Sequence, residues 1–149
     1  MLYRNNITVN RVYSLNKSSF EYAEWKITTK QFSIIIAGIY RPPYSERHRV
    51  TQAQFLNEFQ FVLDRLNTYN EPVYILGDLN FHFDLNNDTY TKKLMSLLKS
   101  HDMKQLVTTA THTNGHILDV IISRNSDNVA ASLPITDYFI SDHCFTTCK

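Results

Sequence analysis

The stretch Pro72-Val73-Tyr74-Ile75-Leu76-Gly77-Asp78-Leu79-Asn80-Phe81-His82 decides how the rest of the chain is read. Val73 to Leu76 is an unbroken apolar run of β-forming residues, the pattern of a central strand covered on both faces. Gly77 then removes side-chain bulk where a carboxylate (Asp78), a carboxamide (Asn80) and an imidazole (His82) follow. On an extended backbone, residues two apart share a side, so these three polar groups converge beyond the apolar run. A hydrophobic strand running into convergent polar groups has the form of a reaction centre.

A second apolar run, Ile34 to Ile39, lies in the arm Gln31 to Tyr40 of a hairpin whose other arm is Tyr22 to Thr28, turning at Thr29-Lys30. It stops at Tyr40-Arg41-Pro42-Pro43, where two prolines end any ladder. Between the two runs, Thr51 to Tyr69 reads as a helix. Thr51 and Gln54 have capping-box spacing, and Phe55, Phe59, Val62 and Leu66, with Leu56 and Leu63, recur at helical period. Strand, helix, strand predicts a parallel βαβ unit with a right-handed crossover. Both strands of such a unit end at one edge of the sheet, beyond which ligands bind. Tyr40 and Asp78/Asn80 are thereby expected on the same rim.

Around this centre, Leu2 to Tyr13 alternates as a strand with one wet face, and Ser14 to Ser19 is turn-rich. Asn86 to Thr89 leads to a second helix over Tyr90 to His101, with Leu94, Leu97 and Leu98 inward, and a short extended piece follows near Gln105 to Val107. The strand Ile117 to Ser123 breaks its own pattern with Asp119 inside Ile-Leu-Asp-Val-Ile-Ile. A carboxylate among apolar neighbours is costly unless bonded, so Asp119 requires a partner, and a histidine is the natural one. The last run, 129–140, ends in Ile140-Ser141-Asp142-His143, again a strand end with acid and imidazole adjacent, and the residues after it begin a further strand.

At 149 residues, 43% hydrophobic, with 3 Gly and 4 Pro, the chain is one ordered domain and neither linker nor disordered segment. A formal net charge of +1 gives no global pull toward polyanions, so any nucleic-acid binding must come from a local patch. Cys144 and Cys148 form a single C-x3-C pair, read as free thiols of a reduced intracellular protein. No apolar run approaches a membrane span, and no leader follows Met1. The sequons at Asn6, Asn16 and Asn87 therefore carry little weight.

Three acids (Asp78, Asp119, Asp142), an amide (Asn80), a phenol (Tyr40) and an imidazole (His143) make up the candidate chemistry. A hard cation such as Mg2+ is held by one or two carboxylates, with water and substrate phosphate completing its shell. Phosphodiester hydrolysis also needs an aligned water and charge stabilisation on the phosphoryl oxygens, which an Asp, an amide or phenol, and an Asp-oriented histidine supply. Singly, each residue has a plain structural reading as a cap, a surface pair or a strand-end aromatic. Together on one rim they point to phosphoryl chemistry. A rival set, His112, His116 and His143 with Cys144, suggests zinc, but His112 and His116 flank the turn Asn114-Gly115 and do not share a helical face. Arg41, Arg47 and Arg49 crowd one loop that either grips backbone phosphates or is a solvated basic segment balanced by Glu46.

Tyr40-Arg41-Pro42-Pro43, Gly77-Asp78-Leu79-Asn80, Thr111-His112 before Leu118-Asp119, and Ser141-Asp142-His143, in that order, resemble the endonuclease/exonuclease/phosphatase superfamily of the DNase I and apurinic-endonuclease type. The resemblance is nearest to the endonuclease domains of non-LTR retrotransposons, whose full-length members also carry a reverse transcriptase. It implies a four-layer α/β sandwich of two packed sheets flanked by helices, Mg2+ (or Mn2+) as cofactor, and DNA as partner. By the same resemblance, Asp78 orients or activates water, Asn80 contacts the phosphate or metal, and Tyr40 holds the scissile phosphate. Asp142 ligates the metal, His143 contacts the phosphate while pairing with Asp119, and Arg41 and Thr111 touch substrate. It further implies an intracellular location, the nucleus included. The front of the chain departs from the pattern: the family's Asn-bearing strand and metal-binding Glu are not found, and Glu21, Glu24 and Glu46 lie outside the matching context. Residues 1–149 thus read as a partial domain lacking its N-terminal strands and slightly trimmed at its end. Phosphatase action on a small phosphoester and an inactive binding remnant remain as rival readings.

Overall fold

In the computed structural model, which describes residues 6–46, 49–85, 87–127, 132–139 and 141–148, the chain runs β1 (Thr8–Asn16), β2 (Glu21–Thr28), β3 (Ser33–Tyr40), α1 (Gln52–Leu66), β4 (Val73–Asp78), α2 (Thr89–Ser100), β5 (Met103–Gln105), β6 (Asp119–Arg124), β7 (Ile135–Phe139) and β8 (Cys144–Thr147). The two apolar runs become β3 and β4. They pair in parallel at the middle of a six-stranded sheet of order β1-β2-β3-β4-β6-β5, with α1 as the crossover. The other neighbours in this sheet are antiparallel. β7 and β8 form a separate two-stranded sheet.

Each strand splits its side chains between two faces. Tyr22, Ile35, Ala37, Ile39, Val73, Ile75, Val120 and Ile122 share a core with Phe55, Phe59, Val62, Leu63 and Leu66 of α1 and Leu94 and Leu98 of α2. Both helices therefore cover one face. The other face carries Ile36, Tyr74, Val107, Ile117 and Ile121. There Cys144 and Thr146 of β8 and Leu76, Gly77, Asp119 and Ile121 of the large sheet line a cleft of about 210 Å3. No helix among the described residues is long and apolar enough to cross a membrane.

Polar contacts fix the helices. Thr51 Oγ1 accepts from the Gln54 N–H at 3.1 Å, but the Gln54 side chain turns to Ser18 Oγ (2.6 Å), so only half of the expected capping box forms. Asp88 caps α2 by accepting from the Thr91 N–H at 2.6 Å. Glu24, fully buried, accepts from Arg65 Nε (2.9 Å) and from the hydroxyls of Tyr22 (2.9 Å) and Tyr69 (2.6 Å), which ties β2 to α1. Burial, followed by the charge of Glu24, pushes the Tyr22 phenol far above its ordinary range.

Several boundaries differ from the sequence reading, among them the end of α1 at Leu66 and not Tyr69. β1 continues through Ser14 to Asn16 instead of turning there, and a register shift between Arg11 and Tyr13 changes which side chains face the helices. Tyr13 and Leu15 pack against the helix-side core. A one-residue slip inverts the alternation, which is how a bulge re-aims a strand. The extended piece expected near Gln105 to Val107 pairs earlier, as β5. Asp119 is the first residue of β6 and lies at its edge, where a carboxylate can reach a partner. Residues 2–5, 129–131, 140, Asn86, Arg47 and His48, on which other expectations fall, lie outside the described residues.

Gly77 explains the end of β4. It sits at φ +150°, and a Cβ there would stand 1.7 Å from the carbonyl oxygen of Ile39 on the neighbouring strand. Gly77→Ala is expected to lose about 3 kcal/mol or more, read as a large drop in the thermal unfolding midpoint by circular dichroism. An unchanged midpoint would contradict the close strand approach.

Candidate active site

The registers of four strands put one residue of each in a row. Glu21 pairs with Tyr40, Tyr40 with Asp78, and Asp78 with Asp119, across β2, β3, β4 and β6. Register partners on neighbouring strands project from the same face. Tyr40 is 44% exposed at this rim, and Glu21 and Tyr40 line a cleft of about 580 Å3 on it. The crossover argument thus places Tyr40 beside Asp78 as expected. Glu21 joins them although no motif marks it.

Asp78 and Asn80 form one unit. Asp78 Oδ1 accepts from the Asn80 backbone N–H (2.8 Å), and Oδ2 accepts from Asn80 Nδ2 (3.0 Å). Asn80 Nδ2 also donates to the Arg41 carbonyl at 2.7 Å. With the amide nitrogen between two acceptors, Asn80 Oδ1 is left as the open atom, an acceptor suited to a cation or to water. The backbone makes this possible by leaving the strand. β4 stops at Asp78, and Asn80 takes φ +49°, a left-handed conformation that asparagine tolerates. Convergence therefore comes from a turn and not from strand alternation, and His82 leaves the group. His82 packs on the His116 ring at 4.1 Å between centroids, and His116 Nδ1 bonds Asp84 at 2.9 Å. Burial, reinforced by the charge of Asp119 and opposed by the Asn80 N–H, holds the Asp78 carboxyl above the usual carboxylate range.

Asp119 has the partner its sequence context demands: His143 Nδ1 lies 2.8 Å from Asp119 Oδ2. The bond fixes the imidazole and leaves Nε2 outward. Main-chain bonds set the pair. Cys144 N–H donates to the Thr111 carbonyl and Thr113 N–H to the Asp142 carbonyl, each at 2.8 Å, so the Thr111 segment holds Ser141-Asp142-His143 in place. Thr111 itself is fully buried, and its Oγ1 accepts from the N–H groups of Leu118 and Asp119, both at 3.0 Å. It is a fastener of Asp119 and not the substrate contact expected. Arg41 is also largely buried, 3% exposed, with Nη1 donating to the carbonyls of Leu79 (3.0 Å) and Asn80 (3.2 Å). Of the other arginines in its loop, Arg49 bonds the Glu46 carbonyl.

Asp142 is exposed, and His112 Nε2 stands 3.6 Å from its Oδ2. The ligand atoms of His112, Asp142 and His143 all lie within 4.8 Å of one another. His112 Nδ1, however, accepts the Asn114 N–H at 3.1 Å, which puts the ring proton on Nε2, facing Asp142. A metal-bound histidine instead donates its second N–H outward. His116 is committed to Asp84, and Cys144 Sγ points to the Ala110 carbonyl at 3.7 Å, so the histidine–cysteine set does not fit zinc. Asp142, Asp78 and Asn80 Oδ1 are hard oxygen donors and fit Mg2+.

The sequence matches the family described as Endonuclease-reverse transcriptase over residues 34–147. A search of curated proteins by sequence finds no match. Among solved structures, the chain is similar to the endonuclease domain of TRAS1, a telomere-specific non-LTR retrotransposon, with a TM-score of 0.74 and 16% identity over 97% of this chain and 67% of that one. It is also similar to D. rerio TDP2 complexed with a single-strand DNA product (TM-score 0.55, 12% identity, 94% and 67% covered). A third is a Staphylococcus aureus beta toxin mutant with bound magnesium ions (TM-score 0.53, 15% identity, 87% and 53% covered). The chain spans between about half and two thirds of the length of these structures, and at such identities the likeness establishes the fold.

Burial alone would lower the His143 pKa. The bond to Asp119, with the charges of Asp119, Asp78 and Asp142, outweighs it and holds the imidazole above its ordinary value. A raised value means that folding favours the charged ring. This stabilisation is fully present below the unfolded-state pKa and lost as pH rises through the folded one. Asp119→Asn is therefore expected to lower the His143 titration midpoint followed by NMR. A midpoint that stays in place would contradict the pairing.

Proposed function

The chain belongs to the Endonuclease-reverse transcriptase family, with the endonuclease/exonuclease/phosphatase fold, and on that premise we propose that it hydrolyses phosphodiester bonds in DNA with Mg2+. The observation that carries this reading is the assembly of the Asp78–Asn80 unit and the Asp119–His143 pair on one rim.

In this reading Asp78, whose carboxyl burial holds above the usual carboxylate range, orients the attacking water and takes its proton. Asn80 Oδ1 fixes that water. His143 presents Nε2–H to a phosphoryl oxygen, and Asp119 keeps the ring oriented and charged. The Tyr40 hydroxyl, on the same row, bonds a second phosphate oxygen. Asp142 would hold the cation, which when bound would neutralise charge on the phosphate and on the oxygen that leaves, with the water's proton, as its P–O bond breaks. Glu24 is buried against Arg65 and does not contribute.

Plasmid nicking with Mg2+ tests the proposal. The wild-type chain is expected to nick, and Asp78→Ala and His143→Ala to lose about 100-fold or more. Phosphate release from small monoesters without nicking would make the chain a phosphatase. Wild-type nicking no greater than that of the variants would leave a binding module with the fold.

A further inference from the structure

Asn80 also borders a second cleft, of about 490 Å3, whose lining includes Arg41, Thr51, Gln52, His82 and Tyr90. Among the described residues no carboxylate lines it. Two independent features make it receptive to an anion. The first is the start of α1, a 15-residue helix with no acid in its first turn. Thr51 satisfies the Gln54 N–H, and the N–H groups of Gln52 and Ala53 are the remaining donors that a helix start leaves without an intrahelical partner.

The second is Arg41. Its guanidinium lies over the rings of Phe81 (4.7 Å) and Phe55 (5.5 Å), the latter in the first turns of α1, which places the charge beneath the helix start. Nη1 is bound to carbonyls, while Nε is buried and has no hydrogen-bond partner among the described residues. A buried guanidinium without an ion pair is costly, and a buried donor left open more so. An anion with several oxygens would complete both features at once.

We infer that this cleft is a phosphate subsite, which receives the phosphate flanking the one at Asp78 and Asn80. The assignment to a nucleic-acid strand rests on the function proposed above; the phosphate chemistry does not. It implies a substrate with phosphates on both sides of Asn80.

Thr51→Asp isolates the cleft, because Asp caps a helix as well as Thr does while placing a negative charge at its mouth. Thermal unfolding with inorganic phosphate is expected to show a rise in midpoint for wild type and for His143→Ala. Thr51→Asp should lose this rise while keeping its phosphate-free midpoint. Anisotropy of a labelled single-stranded oligodeoxynucleotide across salt concentrations should show weaker binding to Thr51→Asp and a log–log slope smaller by about 0.7, the value of one phosphate contact. If Thr51→Asp folds poorly, Gln52→Glu, an acid favourable to the helix end, carries the same readouts. A phosphate response lost in Thr51→Asp with an unchanged oligonucleotide slope assigns the subsite to a free phosphate group. Equal phosphate response and equal slope in wild type and both variants overturn the subsite. A subsite that behaves as expected in a chain that does not nick DNA removes the nuclease reading and leaves the subsite standing.

Discussion

The parallel pairing of β3 and β4 is the constraint on which the rest depends. Parallel strands joined through a helix must end at the same sheet edge, and their register puts Tyr40 opposite Asp78. The Ile39 carbonyl comes so near Gly77 that no side chain fits there. Once β4 is fixed, the antiparallel β6 brings Asp119 opposite Asp78 from the other side. The row of polar residues is thus a product of backbone registers, which side-chain chemistry then uses.

A carboxylate at a half-buried strand end is stable only if its bonds replace water, since an unpaired buried charge costs several kcal/mol. Asp78 and Asp119 meet this condition differently. Asp78 takes two bonds from the following turn, and Asp119 takes His143 from the far end of the chain. The first solution is local. The second requires the chain ends to come together, so the candidate site is complete only when the Thr111 segment has captured residues 141–144. Arg41 works from beneath, donating to the carbonyls of Leu79 and Asn80 and holding the turn that opens Asn80 Oδ1.

What was legible in the sequence follows this division. Continuous apolar runs flanking a periodic helix specify the crossover, and from it the shared rim of Tyr40 and Asp78. The misfit of Asp119 in an apolar run announced a histidine partner because burial of a lone carboxylate is forbidden energetically. Features set by tertiary contact were not legible. The bulge near Val12, the left-handed turn at Asn80 and the burial of Thr111 and Arg41 leave no periodic trace. Glu21 reaches the rim only through the hairpin register, so its position could be found once Tyr40 was paired and not before. An extended backbone would align His82 with Asp78 and Asn80, but β4 ends at Asp78.

In the proposed reaction Asp78–Asn80 and Asp119–His143 serve a single phosphate. An NMR titration with a phosphorothioate-linked deoxydinucleotide in the presence of Mg2+ measures this directly, following the Asn80 side-chain amide and the His143 ring. Both signals are expected to shift along curves with one shared dissociation constant. Two different constants, or movement of one signal without the other, would contradict it.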